Sequence, residues 1–221
     1  MQREIDMKEV SDGKFYGLRD MVKAGCDDCK GCSDCCRGMG NSIVLDPYDV
    51  YRLTVGLDCS FEKLLEEKIE LNVADGLILP NLKMTEKGEQ CGFLNEEGRC
   101  SIHPLRPGMC RIFPLGRYYE DGGFQYFLQV HECRKEPKTK VKVQKWIDTP
   151  DVKRNEKFIN DWHYFLKHLS EMLEESENEE YRKTVSLFLL KNFYQKSYEK
   201  ERDFYEQFEE RMTQAKSIFR G

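Results

Sequence analysis

The chain has 221 residues, 39% hydrophobic, 12% aromatic and 34% charged, with a net charge of −5 at pH 7 and ten cysteines. That length suits one ordinary domain, or one domain with a helical appendage, and the aromatic content is enough to anchor a core, which excludes global disorder. The negative balance argues against general attraction to nucleic acid or to an anionic membrane surface.

The N-terminal stretch from Met1 to Val10 holds no apolar core of signal-peptide length. No later segment approaches the ~20 apolar residues of a membrane span. The expected location is therefore the cytoplasm, where reducing conditions make thiols metal ligands rather than disulfide partners.

In chain order, residues 1–25 read as a charged leader with one short helix ending at Gly25. The stretch Cys26-Asp-Asp-Cys29-Lys-Gly-Cys32-Ser-Asp-Cys35-Cys36 follows, then a turn at Arg37-Gly-Met-Gly40. Ser42 to Leu45 reads as a brief strand. Asp46-Pro47 sets a capping residue before a proline and predicts a helix from Pro47 to Leu53. Ser60 opens a second helix with an apolar stripe at Phe61, Leu64, Leu65 and Ile69. Gly76 to Leu79 reads as extended and Pro80-Asn81 as a break. The segment from Cys91 to Pro114 is rich in glycine and proline, hence irregular, with one helical turn opened by Pro104. Asp121-Gly122-Gly123 between aromatic runs predicts a β-hairpin that delivers His131 and Cys133 at its end. Pro137 and Pro150 bracket a basic connector. Phe158, Ile159, Trp162, Phe165, Leu166, Leu169, Met172 and Leu173 then predict an amphipathic helix from about residue 150 to about 175. Two further helices, Tyr181 to Tyr194 and Phe204 to Phe219, follow an acidic turn from Glu174 to Glu180.

Nine cysteines fall into three groups: Cys26, Cys29, Cys32, Cys35 and Cys36; Cys91, Cys100 and Cys110; and Cys133. Cys59 stands apart and reads as a buried small hydrophobe. Thiolates suit zinc and iron–sulfur clusters. Zinc takes four ligands in a tetrahedron, whereas three cysteines at a three-residue step plus a distant fourth can hold a cubane. The five-cysteine run keeps that step beyond what a zinc knuckle needs, which gives iron an edge. His131, two residues from Cys133, is a further candidate ligand. His103 is more simply a turn residue, and His163 and His168 suit a helix surface. Arg106 and Arg111, with Arg117, would offset the charge of several thiolates on one metal; the alternative is that they anchor an anionic substrate such as a carboxylate or phosphate.

Cys29-Lys-Gly-Cys32-Ser-Asp-Cys35-Cys36 resembles the signature of the YkgJ-type cysteine-cluster family, named for its Cys-x-x-Cys-x-x-Cys-Cys pattern. Cys91-Gly-Phe-Leu94, Cys100-Ser-Ile102, Arg106-Pro107 and Cys110-Arg-Ile-Phe-Pro114 follow the second half of that pattern, so the similarity covers about residues 26 to 135. Cys26 extends the run by one step, and His103 stands where a tyrosine is commoner. The resemblance implies a zinc- or iron-chelating domain. It also implies a distant likeness to flagellin lysine N-methylases, with an iron–sulfur centre and S-adenosylmethionine, although no glycine-rich strand-loop-helix of the usual methyltransferase type is present.

The expected fold is mainly α with a small β-hairpin: an irregular, cysteine-rich metal-binding core plus C-terminal helices. Its parts would be the leader (1–25), a cysteine-cluster domain (26–135) and a helical region packed on it (136–221). The expected function is that of a cytoplasmic metalloprotein binding iron, as a 4Fe–4S cluster, or zinc. One alternative is a cluster-dependent redox or group-transfer enzyme acting on a protein or peptide, such as S-adenosylmethionine-linked lysine methylation. Another is a structural zinc module for protein contacts.

Overall fold

The computed structural model describes residues 6–85, 89–176 and 178–219. The first five residues of the charged leader and Glu177 of the acidic turn lie outside them. In chain order the elements are α1 (Met7–Val10), β1 (Ser11–Tyr16), β2 (Met21–Gly25), α2 (Pro47–Leu57), α3 (Phe61–Glu67), β3 (Ile69–Ala74), β4 (Leu77–Leu82), α4 (Gly108–Ile112), β5 (Leu115–Glu120), β6 (Gly123–Gln129), β7 (Thr139–Lys142), α5 (Val143–Ile147), α6 (Val152–Glu174), α7 (Glu179–Leu189) and α8 (Phe204–Ile218). No helix among the described residues is long and apolar enough to cross a membrane.

The expectation of a mainly helical chain with one hairpin is overturned. The described residues hold seven strands in three small antiparallel sheets, 22% strand beside 45% helix. The leader is largely extended rather than helical, because β1 pairs with β6 and β2 pairs with β7. Val22 and Ala24 alternate inward along β2, the period-two signature of a strand. That signal is only two residues long, and β7 (Thr-Lys-Val-Lys) has almost none, so pairing between distant segments makes these strands. Pro80-Asn81 is likewise no break: both lie inside β4, opposite Leu71 and Glu70. Proline is tolerated there because the sheet has two strands and every strand is an edge. Ser42 to Leu45 contributes only an isolated bridge, Val44 with Asn81.

The chain divides into two compact units. One comprises the chain up to Ile43 together with Met84–Asn160; the other comprises Val44–Lys83 and the chain from Asp161 on. The first unit packs β2, β5, β6 and α5 around Val22, Ala24, Ile112, Leu115, Tyr126, Leu128, Val143 and Ile147. Its β5–β6 hairpin turns at Asp121 and Gly122, with φ of 50° and 77°. Two positive φ values in a two-residue loop match the right-handed twist of the strands, and glycine meets that demand without strain.

In the second unit, α2 starts where the Asp46-Pro47 signal predicts and runs one turn further. Asp46 accepts from the Asp49 N–H at 2.8 Å, and Asp49 accepts in return from the Asp46 N–H at 3.2 Å. This reciprocal capping box satisfies two donors that the helix start leaves open. Ser60 caps α3. The hairpin β3–β4 is tied to α7 by the Ile78 N–H bonding to Ser186 Oγ at 3.1 Å. Trp162, Phe193 and Phe208 meet at centroid distances of 4.9 to 6.0 Å and fill the centre. Buried Arg211 donates to the carbonyls of Asn192, Lys196 and Ser197 and lies 3.6 Å from the Tyr198 ring centre.

Candidate metal centre

All nine grouped cysteines belong to the first unit; Cys59 lies in the second and is half-buried rather than fully buried. Strand β2 feeds directly into the run, ending at Gly25 with Cys26 only 3% exposed. The run then folds as successive tight turns, closed by Cys29 N–H to Cys26 O (3.2 Å), Cys32 N–H to Cys29 O (3.0 Å) and Cys36 N–H to Ser33 O (2.9 Å). Asp27, Cys29 and Gly31 are left-handed, at φ 52°, 55° and 68°. Glycine adopts that conformation freely, but for cysteine it costs about 1–2 kcal/mol, and backbone strain of this kind clusters at ligand-binding positions. No apolar face competes for the loop, because the intervening residues are small or charged.

Two distant segments are stitched to the run through backbone. Arg37 bridges Gln90, the Gly38 N–H bonds Glu89 O at 2.7 Å, and the Cys91 N–H bonds Cys36 O at 2.8 Å. A small turned loop follows, in which Leu94 bridges Cys100 and the Ser101 N–H bonds Phe93 O. Cys91 and Cys100 are thereby drawn to the Cys36 end. On the other side β7 pairs with β2, setting Thr139 opposite Gly25. Lys135 Nζ reaches Lys30 O at 2.9 Å, fastening the Cys133 loop to the run, and Lys138 Nζ bonds Cys133 O at 2.7 Å within that loop.

The sulfurs are close in pairs. Cys26 and Cys29 Sγ are 3.5 Å apart, and Cys35 shares a hydrogen bond with Cys36. Burial, with the neighbouring Cys26 thiol and then Cys35 adding to it, pushes the Cys29 thiol up to about 12. The bond to Cys36, then burial, raises Cys35. Burial raises Cys100, with Cys35 adding to it, and burial raises Cys133, with Cys26 and Cys32 adding to it. Arg106 opposes this at Cys29, Cys35 and Cys100. Its Nη1 is 2.8 Å from His103 Nε2. Its Nε is buried and bonds no group among the described residues.

The expected metal-binding core is corrected in one respect: among the described residues, no three side chains of ligand type meet as a group that could hold an ion. The donor set nevertheless fits a soft metal, being nine thiols on a polar loop scaffold. The unpaired donor of Arg106 fits as well. A buried N–H without an acceptor costs about 1–3 kcal/mol, and a metal-bound thiolate would accept it.

Other predicted residues fall differently. Cys110 lies half-buried in α4. His131 is exposed on the turn after β6. Arg111 is buried, donating to the carbonyls of Pro104, Arg106 and Asp148, so it holds the Arg106 segment in place. Arg117, in β5, lies 5.6 Å from the Phe124 ring centre and near Tyr126 and Glu156. Lys135 and Lys138 escaped the sequence reading, because a lysine in a basic connector carries no sign that its target is a carbonyl 105 residues away.

The chain belongs to the CxxCxxCC family, whose model, "Putative zinc- or iron-chelating domain", matches residues 28–150. The match starts after Cys26 and extends through β7 and α5, both of which belong to the unit that holds the cysteines. No curated protein and no solved structure matches the chain. The likeness to flagellin lysine N-methylases therefore has no support beyond the cysteine pattern itself.

Proposed function

We propose that this protein chelates zinc or iron as tetrathiolate ions through the cysteines of the three gathered segments. The observation that carries the reading is the Cys26–Cys29 sulfur separation of 3.5 Å. In a tetrahedral site with metal–sulfur bonds of about 2.3 Å, the sulfurs stand about 3.8 Å apart, so this pair is spaced for one shared ion. A cubane instead takes one thiolate per iron, which holds the sulfurs further apart. Arg106 would donate to the bound thiolates and offset their charge. Bound zinc would lock the three segments together, and bound iron would add one-electron chemistry.

A 4Fe–4S cluster is the second reading. It is favoured by the strict step of Cys26, Cys29, Cys32 and Cys35 and by the alternating left-handed residues, a backbone habit of anion and cluster loops.

Protein purified without oxygen and analysed for zinc, iron and acid-labile sulfide separates the two. Stoichiometric metal without sulfide supports the tetrathiolate. Brown protein with matched iron and sulfide supports the cluster. Protein that holds neither metal after anaerobic reconstitution overturns both.

A further inference from the structure

The thiol surplus has a structural division. The cysteine run is two loops, and each has its own cover. The first, Cys26 to Cys32, is closed by the Cys26–Cys29 and Cys29–Cys32 turns and contains the three left-handed residues. Its cover is the Cys133 loop, fixed by the opposition of Gly25 and Thr139 and by Lys135 on the Lys30 carbonyl. The second, Ser33 to Cys36, is closed by the Ser33–Cys36 turn. Its cover is the segment from Glu89 to Ser101, fixed by the Arg37–Gln90 bridge and the Cys91 N–H on the Cys36 carbonyl.

Counting sulfurs by loop and cover gives Cys26, Cys29, Cys32 and Cys133 on one side, and Cys35, Cys36, Cys91 and Cys100 on the other. Each set numbers four, the coordination number of a closed tetrahedral thiolate site. A divalent ion bound by four thiolates carries a net charge of −2.

We infer that this protein holds two separate metal ions, one in each four-cysteine set, with Cys110 outside both. The inference rests on the proposed thiolate chelation and adds its stoichiometry and ligand partition. Each set closes as its ion replaces the thiol protons, which leave to solvent; nothing is oxidised or reduced.

The test is an anaerobic titration of the full-length, metal-free protein with cobalt(II), whose thiolate bands report four-sulfur coordination, followed by displacement with zinc. Two equivalents per chain are expected. Cys29→Ser and Cys133→Ser should each retain one equivalent with a four-sulfur spectrum, as should Cys35→Ser and Cys100→Ser, while Cys110→Ser should retain two. In the wild type, where misfolding is not at issue, alkylation and mass mapping after one equivalent should show thiols shielded within a set. One equivalent in the wild type, or shielding of Cys29 together with Cys100 by a single ion, would overturn the two-ion inference and leave chelation standing. Uptake of neither ion, by the wild type, removes both.

Discussion

At the scale of single residues, the arginines divide by what their guanidinium groups meet. Arg111 is buried against three carbonyls and acts as a fixed strut, a role Arg211 repeats in the other unit. Arg106 bonds His103, keeps a buried Nε–H unpaired among the described residues, and its charge opposes the upward shift of three thiols. Arg106→Gln should therefore weaken metal binding about 10–100-fold, the usual effect of losing a partner of the ligands, with Arg106→Lys intermediate because it keeps the charge and loses the fork. Competition against a chelator of known affinity reads this directly. Glu156 is the other residue out of balance. Burial raises its carboxyl above the ordinary value, more than the Tyr126 hydroxyl and Arg117 lower it. The folded state thus holds the Glu156 proton more tightly than the unfolded state does. Stability from this group is fully present below the unfolded value of about 4.3 and is lost as pH rises through the folded value. Glu156→Gln should match the wild type near pH 4 and exceed it at pH 7, as judged by urea midpoints at the two values.

At the scale of elements, local signals worked where one segment contains its own instructions. Asp46-Pro47 started α2, Ser60 started α3, and Asp121-Gly122 turned the β5–β6 hairpin. The heptad-like spacing from Phe158 to Leu173 foretold α6, found at Val152–Glu174. The capping box makes a direct prediction: Asp46→Ala should cost about 1 kcal/mol, seen as a lower denaturation midpoint with an unchanged slope. Local signals failed where a strand exists only through its partner. β1 buries little besides Ser11, and β7 exposes most of Thr-Lys-Val-Lys, so neither shows an apolar alternation to read. Those pairings nonetheless matter most to the site, because β2 with β7 brings Cys26 and Cys133 together across more than a hundred residues.

At the scale of the whole molecule, the grouped cysteines share one compact unit, and each unit has one of the two tryptophans: Trp146 in the cysteine-bearing unit, Trp162 in the other. Trp146 Nε1 bonds the Phe113 carbonyl at 3.1 Å, within the unit that the metal would stabilise. Metal that binds only the folded state raises apparent stability by mass action. Removing metal with a chelator should thus lower the unfolding temperature reported by Trp146 in a Trp162→Phe variant.

The sequence by itself determined the chemistry: four thiols at a three-residue step with a fifth beside the last, and four more downstream, point to soft-metal chelation, which their spacing and polar neighbours permit. It also determined α2, α3, α6, α7, α8 and the β5–β6 hairpin, whose signals lie within a few residues of each other. Only the tertiary structure decided which thiols become neighbours, because the bridges at Arg37–Gln90 and Gly25–Thr139 are backbone pairings between segments that carry no mark of one another. It also separated Arg106, whose charge acts on the thiols, from Arg111 and Arg117, whose partners are carbonyls and an aromatic ring. Spacing along a chain specifies which ligands are available; pairing across the fold specifies how they are shared.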